Sequence, residues 1–505
     1  MTTSASPSTS NLRRLAAVAC AAAVLLSGCS LGPKYKRPTL DTPASYKEAS
    51  AGGDGVWRPA DPKDSIQRGK WWEIFEDERL NGLEEKAAAA NQSIKVAAAQ
   101  YREARAQVAF ARSSYFPSIS LQPSMTRGLE LTGTSNQHGI ENNFDLPAVA
   151  SWEPDFWGQI GLNVENAASN AAASAAALEN AKLSVQAQLA GDYFQMEEND
   201  NEQILLSSAI ASYQIALDLT QNRFNAGIAS QADVMQARTQ LDTTKAQATD
   251  LSVARSQFEH AIAVLVGEPP SAFSLSTGTI TRVPPPIPVG VPSQLLERRP
   301  DVATAERQVA AANATVGLTR TAFFPIISLT ASAGYQSSSW AQWISWPNHV
   351  WSLGAATAQT IFDFGGRLAE LHGAKAAYDA SVANYRQTAL SAFQEVEDQM
   401  SALSYLSQEA GQQDAATREA EQSLTLEIQR YKAGIDSYLN VITTQNIALT
   451  NERTSSQILG RRMVAAVTLI SDLGGGWDQK LIPTGRALAS DKEPADATAT
   501  AAKPR

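Results

Sequence analysis

The chain has 505 residues, a net charge of −10 and only 18% charged residues. An acidic chain with pI near 5.1 lacks the basic footprint of a nucleic-acid binder. Its two cysteines, Cys20 and Cys29, both lie near the N-terminus, which excludes disulfide frameworks, cysteine-rich zinc sites and thiol catalysis in the body. The four histidines (His138, His260, His349, His372) fall in no metal-ligand spacing. No nucleophile, base and orienter set stands out. The reading is of a non-enzyme without cofactor or metal.

Arg13 and Arg14 precede twelve apolar residues, Leu15 to Leu26, and then the small residues Ser27 and Gly28. A basic start, a short apolar run and small residues at the cut make an export signal, too short to span a bilayer. Leu26-Ser27-Gly28-Cys29 resembles the bacterial lipobox, in which the cysteine is acylated and becomes the first mature residue. Cleavage after residue 28 removes two arginines and no acid, taking the net charge from −10 to −12. Two or more acyl chains give stable anchoring. Residue 30 is Ser, and the resemblance then implies the outer membrane.

The body repeats. Tyr115-Phe116-Pro117 reads like Phe323-Phe324-Pro325, and Asp155-Phe156-Trp157-Gly158 like Asp363-Phe364-Gly365-Gly366, both at an offset of 208. Arg223-Phe224-Asn225-Ala226-Gly227-Ile228 matches Arg430-Tyr431-Lys432-Ala433-Gly434-Ile435 at 207, and Val266-Gly267 falls on Leu473-Gly474. Between the copies, Glu268–Pro300 holds eight prolines and reads as an extended connector. The expected organisation is a signal (1–28), an anchored N-terminal arm (29–86), repeat 1 (87–267), the connector (268–299), repeat 2 (300–474) and a C-terminal segment (475–505). From about Ala487 the composition carries no folding pattern, and disorder is expected there.

Within each copy a helix leads to the aromatic-Pro block, because proline disfavours helix at the residue before it. Two strand-like runs follow, near 117–128 and 143–155 in the first copy and near 325–336 and 350–363 in the second. Ile119, Leu121 and Met125 alternate with polar neighbours, as do Phe144, Leu146, Ala148, Ala150 and Trp152. Ile327, Leu329, Ala331, Ala333 and Tyr335 do the same; Val350–Phe362 alternates weakly. Runs of about ten residues suit tilted membrane strands. Soluble hairpins share that period. The aromatics favour the membrane: Tyr115, Phe116, Trp152, Phe156, Trp157, Phe323 and Phe324 mark one end, and Trp340, Trp343, Trp346 and Trp351 the other.

Two proline-free segments follow, Gln159 to about Gln221 and Gly366 to Gln429. As helices each reaches roughly 95 Å. They are polar along their length and cannot cross lipid. In the second, Tyr378, Val382, Tyr385, Ala389, Ala392, Val396, Met400, Leu403 and Leu406 recur every 3.5 residues on average, the coiled-coil period. Each long helix runs through an Ala-Gly-Ile turn into a second helix, Ser230–Val266 or Ser437–Leu473, so each copy ends in a helical hairpin. Four membrane strands cannot close alone, and an open edge cannot face lipid. Two chains give eight strands, a barrel filled by its own side chains. Three chains give twelve, with room for a channel.

The chain resembles the TolC-type outer-membrane efflux channels, in the lipoprotein branch that serves resistance-nodulation-division pumps (NodT/OprM-like). The resemblance rests on the lipobox, Gly32-Pro33-Lys34-Tyr35-Lys36-Arg37-Pro38, Trp71-Trp72, Leu80-Asn81, Leu296-Glu297-Arg298-Arg299-Pro300-Asp301, Phe362-Asp363, Tyr431-Lys432-Ala433-Gly434 and Leu473-Gly474-Gly475-Gly476-Trp477. These blocks span nearly the whole mature chain. The resemblance implies an α+β membrane protein: a trimeric twelve-stranded β-barrel, four strands per chain, continued by a long periplasmic α-helical barrel with an equatorial belt. It implies a passive exit duct for drugs or other small toxic compounds. The partners it implies are a periplasmic adaptor, an inner-membrane pump of that class and outer-membrane lipid, with no nucleic acid. A duct for type I protein secretion and a lipid-anchored coiled-coil scaffold without a pore are the alternatives. By the same resemblance Ala226, Gly227, Ile228 and Ala433, Gly434, Ile435 form adaptor-docking tips. Tyr431, Asp436, Asn440, Thr443 and Asp233 are candidate periplasmic gate residues. Relatives often carry Asp where this chain has Asn440 and Thr443, so a dense carboxylate ring is not expected; Asp436 and Asp233 also suit a helix start.

The lipobox reading is testable at one atom. Cys29→Ser should abolish incorporation of radiolabelled palmitate while the barrel still assembles; labelling that survives the substitution would refute it.

Overall fold

The computed structural model describes residues 32–43, 45–48, 69–132, 137–280, 282–287 and 298–477, with side chains at all of these except 130–139. The expected signal, Cys29 and the tail beyond Trp477 lie outside the described residues. A 3₁₀ turn, Trp71–Phe75, opens the first helical pair, α1 (Glu78–Ala90) and α2 (Gln92–Ser113). Asp77 caps α1 by accepting from the amides of Arg79 and Leu80, and Asn91 caps α2 by accepting from that of Ile94. The strands β1 (Ser118–Leu121), β2 (Ser124–Thr132) and β3 (Gln137–Trp152) follow. Then come α3 (Gln159–Asn225) and α4 (Gln231–Leu265). The second copy runs α5 (Pro300–Thr321), β4 (Ile326–Ser337), β5 (His349–Ala358), α6 (Gly366–Lys432) and α7 (Tyr438–Asp472).

The sheet is four strands wide. β1 and β2 both pair antiparallel with β3, and one register runs through both: Leu121 faces Ala148 and Ser124 faces Asp145. They are a single strand interrupted at Gln122-Pro123. Pro147 accepts from the Gln122 amide at 3.0 Å but has no N–H to return, so that rung keeps one bond of two. β3 pairs with β4 and β4 with β5. Pro147 lies opposite Gly334, where any Cβ would overlap the backbone of Leu146 and Pro147. This register puts Ile119, Leu121 and Met125 on one face with Leu146, Ala148, Ala150, Leu329, Ala331 and Ala333. Trp351, Leu353 and Ala355 of β5 continue it, so pairing resolves the face that the weak alternation of this run left open. Ser120, Ser124, Asn143, Asp145, Ser151, Thr330, Ser332, Gln336 and Ser352 lie on the other.

The strand limits shift from expectation for local reasons. The first hairpin extends to Thr132 and back from Gln137, past the expected 128 and 143. β3 stops at Trp152 because Pro154 cannot continue a ladder. β5 stops at Ala358, five residues early, as the chain turns to present Asp363 to α6. Asp155 accepts from the amides of Ile160 and Gly161, and Asp363 from those of Gly365 and Arg367. Each aspartate therefore satisfies the free donors at the start of a 67-residue helix. The N-caps are Gly158 and Gly365, both left-handed, at φ 75° and 88°. The true counterpart of Gly158 is thus Gly365, not Gly366. Two aromatics separate Asp155 from its cap and only Phe364 separates Asp363 from its own, which is where the repeat offset falls from 208 to 207.

Each long helix spans about 100 Å at 1.5 Å per residue. The core gathers where all the long helices cross. Trp71, Leu80, Leu189, Tyr193, Met196, Ile262, Leu469 and Ile470 are buried there together. The 3.5-residue stripe of α6 is buried from Tyr385 to Leu406, and Tyr378 and Val382 pack against the same core. The N-terminal arm and the connector wrap this level as a belt. Tyr35 donates to Glu306 Oε1 at 2.5 Å, and Arg37 Nε to the Tyr385 hydroxyl at 3.1 Å. The Lys47 and Glu48 amides take one oxygen each of Glu397. Arg255 bonds Asp200 at 2.7 Å and the Leu275 carbonyl at 2.8 Å. Arg299, which is half-buried, ties Asp301, Glu395 and Asp472.

Four glycines with positive φ end the hairpin helices: Gly227, Gly267, Gly434 and Gly474. They differ in surroundings. A Cβ on Gly434 meets nothing within 4 Å, whereas one on Gly474 would overlap the Arg298 carbonyl. Gly434→Ala should therefore cost only its left-handed backbone, about 1 kcal/mol. Gly474→Ala should cost clearly more, because the connector end must also move. Equal losses of thermal stability, followed by circular dichroism, would contradict this.

Candidate functional site

Among the described residues the sheet leaves its two outer strands, β1/β2 and β5, unpaired on one side each. Its apolar face is exposed: Ile119, Leu121, Met125 and Leu353 stand 62–77% open. Aromatic residues bracket this face. At the helical end Trp157 stacks on Phe324 with ring centres 5.0 Å apart and donates to the Pro325 carbonyl at 2.7 Å. Trp152 donates to the Tyr115 carbonyl at 3.0 Å. At the far end Trp340 and Trp343 close around Phe144, and Trp346 stacks on His349. Each ring is pinned by a contact that fixes its height, as interfacial anchors require.

At the opposite pole the hairpin tips are built alike. α3 ends with Ala226, Gly227 and Ile228; Gly227 sits at φ 74° and the Ile228 amide reaches back to the Arg223 carbonyl at 2.8 Å. α6 ends with Ala433, Gly434 and Ile435; Gly434 sits at φ 77° and the Ile435 amide reaches the Arg430 carbonyl at 3.0 Å. Left-handed glycine and the six-residue return bond satisfy the last carbonyls of each helix. Ile228 and Ile435 protrude to the same degree, 68% exposed each. The two hairpins thus present matching apolar points.

The expected gate residues divide between the hairpins. Tyr431 is buried; its ring packs on Tyr438, 5.4 Å between centres, with Val441, and against Ala237 of the first hairpin. The Arg223 guanidinium lies 4.6 Å above the Tyr431 ring and donates to the Tyr431 carbonyl at 3.3 Å. Arg223 is a residue the sequence reading passed over, although its repeat partner, Arg430, stands in the same block. Asp436 pairs with the Arg430 guanidinium, and Asn440 Nδ2 donates to it at 3.3 Å. Arg430 holds the Asp436 carboxyl below the usual range. Asp233 is engaged in its own hairpin. It forms a capping box with Ser230, taking the Ser230 amide at 2.9 Å while its own amide donates to Ser230 Oγ at 3.2 Å. Thr443 donates to the Leu439 carbonyl one turn back. So Asp436 and Asn440 come together with Arg430, Tyr431 comes together with Arg223, and Asp233 serves a helix start.

Across the hairpins, Gln240 and Asn446 exchange two hydrogen bonds, at 2.6 and 3.2 Å. That exchange and the Arg223–Tyr431 contact tie the tips of the two copies. Among the described residues no group of histidine, cysteine and carboxylate side chains is placed to hold a metal. No described helix is long and apolar enough to cross a membrane. Among the described residues, the surface suited to lipid is the apolar face of the sheet.

The outer membrane efflux protein model matches residues 83–268 and again 291–475, once per copy. The solvent efflux pump outer membrane protein SrpC of Pseudomonas putida is 31% identical over 471 residues, covering 90% of this chain and 97% of that protein. The cation efflux system protein CusC of Escherichia coli O6:H1 is 28% identical over 464 residues, covering 90% of this chain and 98% of that one. The solved outer-membrane channel OprN superposes with a TM-score of 0.82 at 28% identity, over 89% of this chain and all of that one. With both copies matched and the sheet, long helices and tips in place, the chain belongs to the outer membrane efflux protein family.

Proposed function

We propose that three copies of this chain close a twelve-stranded barrel and a helical tube below it, forming the passive outer-membrane duct of a tripartite efflux system. One observation carries the reading: a four-stranded sheet with an exposed apolar face and two unpaired edges. In lipid an unpaired backbone edge costs several kcal/mol per group, so the sheet must be completed by copies of itself. A lipid-anchored scaffold without a pore has no use for such a sheet. Relatives named as solvent, toluene and cation efflux proteins favour small toxic solutes over a secreted protein as cargo. A periplasmic adaptor meeting the exposed tips and an inner-membrane pump of the resistance-nodulation-division class complete the assembly. Selection belongs to the pump, and the duct performs no chemical step.

The arm geometry supports Cys29 as the lipid anchor. Gly32, three residues on, packs so closely against Leu162 that a Cβ would overlap it, and Leu162 lies one turn below the sheet-to-helix junction. The described arm thus begins, at Gly32, near the level of the aromatic band.

Closure at the tips rests on few contacts. The Arg430–Asp436 pair and the Arg223–Tyr431 stack are its candidates. The depressed Asp436 value fixes the pH sense: the pair's contribution is present above the ordinary Asp range, near 3.9, and lost only as pH falls through a still lower value. Closure through this pair is therefore flat across the neutral range.

Reconstituted in planar bilayers, the protein should give single-channel steps and run as a heat-modifiable trimer; a monomer without conductance would end the reading. Tyr431→Leu, which removes the ring under Arg223, combined with Asp436→Ala should raise conductance and admit large antibiotics. Unchanged conductance in assembled double-mutant trimers would remove those two residues from the gate without touching the channel. Arg223→Ala removes a cation–π contact of about 0.5–1 kcal/mol. It should widen the distance distribution between spin labels at residues 226 and 433, and an unaltered distribution would show that the stack does not hold the tips.

A further inference from the structure

Just past the core level at Met196, two glutamates of α3 meet α7, the returning helix of the second repeat. Glu198 and Glu202 stand one turn apart on α3 and so share one side of it. Glu202 is buried and committed: Arg453 Nη2 donates to it at 3.1 Å and Gln457 Nε2 at 2.5 Å, both from α7. Glu198 is less well served. Its Oε1 is buried and has no hydrogen-bond partner. Gly460 of α7 lies so close that a Cβ there would overlap Glu198 Cγ and Cβ. An open groove of about 540 Å³ between α3, α6 and α7 reaches the same side chain, and Gln195, Gln399, Gln457 and Arg461 line it too. The charged groups facing Glu198 are thus Glu202 on its own helix and Arg453 and Arg461 on α7, with Glu409 of α6 held 3.8 Å from Arg461. Each of the two cations is paired with another carboxylate.

We propose that Glu198 is a pH-sensitive latch between the two repeats: neutral, its carboxyl lets α7 close on α3 at Gly460; ionised, it takes water from the groove and drives the two helices apart. Two carboxylates one turn apart repel when both are charged, and a charge without water or a counter-ion does not stay covered. Burial, with Glu202 beside it, pushes the Glu198 carboxyl up from 4.5 to about 7. The closed contact is therefore at full strength in acid and is lost as pH rises through neutrality. The Arg430–Asp436 pair at the tips is flat over that range, so the two responses do not overlap. Moving by the repeat offset of 207 turns Glu198 into Tyr405 and takes Gly460 back to Val253. Both of those are exposed on the protomer and neither carries a carboxyl. The latch thus belongs to the contact of α3 with α7. In the duct proposed above, and resting on that reading, it sets the width of the tube beneath the belt by the acidity of its surroundings.

The test is the distance between spin labels at Ser208→Cys on α3 and Thr450→Cys on α7, in the full-length purified protein with Cys20 and Cys29 replaced by Ser. Both positions are exposed, and each lies ten residues from the contact toward the tips, counted from Glu198 and from Gly460. The ratio of the wide to the narrow population should rise about tenfold from pH 6 to pH 8, the change expected of one carboxyl near 7 when covered and 4.5 when free. Glu198→Gln should hold the narrow distance at both pH values. Gly460→Ala, which wedges the helices apart without altering charge, should give the wide distance already at pH 6, and it decides the question if Glu198→Gln fails to assemble. A parent distance unchanged between pH 6 and pH 8 would overturn the latch. So would a response that persists in Glu198→Gln; its loss in Asp472→Asn would then assign it to the carboxyl beside Arg299. The labels report on the protomer, so a latch that fails here leaves the duct standing, and a protein without conductance leaves the latch standing.

Discussion

A backbone amide in lipid has no water to turn to, and this sheet is built around that fact. Within the protomer the rungs are complete from Ser118 to Ala358 except where proline intervenes. Pro147 faces β1/β2 with its donor missing, and the cost is limited to one bond. Residues of an antiparallel strand alternate between facing the partner and facing away, so the missing donor of Pro123 points to the open edge. The apolar face stays continuous across both interruptions, because one register spans them. Everything beneath follows from the need to bring two such hairpins side by side: two copies of one unit, two helical pairs, and a connector that returns the chain to the start.

The hairpins hold their shape through their ends. A 67-residue helix has the same four free amides and four free carbonyls as a short one, and each end is answered by name. Asp155 and Asp363 meet the amides under the sheet; Gly227 and Gly434 turn the chain so that the last carbonyls are bonded at the tips. At the returning ends Gly267 presses on the Ala90 carbonyl and Gly474 on that of Arg298, where Asn91 and Arg299 donate to the Leu265 and Asp472 carbonyls. The copies solve the same problem at the same place with different side chains, an amide in one and a guanidinium in the other. The guanidinium collects three carboxylates as well, which is why the second junction is the more polar of the two.

Much of this was legible in the residues. Alternation located the strands because one face of the sheet is apolar and the other polar. The 3.5-residue stripe from Tyr378 to Leu406 located the face of α6 that is buried. What sequence could not supply was register and direction. Val350–Phe362 looked weakly patterned because Ala and Gly fill it; only pairing with β4 reveals that Trp351 and Leu353 share the face of Ala333 and Ala331. The loop that shortens by one residue between Asp363 and Gly365 was aligned to the wrong glycine, since both neighbours are Gly. Among the candidate gate residues, sequence marked Asp233 and Asp436 alike, and the structure separates them. One aspartate is consumed by a serine two residues past the turn's isoleucine, and the other by an arginine before it. Arg223 went unmarked because its role is a stack on a ring from the other copy, and no spacing within one repeat encodes that.

The belt and the tips are held by interactions of different grade, and this sets where the molecule yields. At the belt Arg255, Arg299 and Tyr35 bond buried or half-buried partners, and charge-assisted bonds there are about twice as strong as neutral ones. Breaking any of them strands a charge away from water, which costs more than the bond itself was worth. At the tips the Arg430–Asp436 pair faces solvent, where ion pairs are screened and contribute little. The small cluster of Ala237, Tyr431, Tyr438 and Val441 is the only described core at that level that joins the two hairpins. Motion is drawn from the least stable part of a structure. The tips are therefore where the molecule yields first, and a load on Ile228 and Ile435 acts at the far end of a lever about as long as the distance from belt to tip.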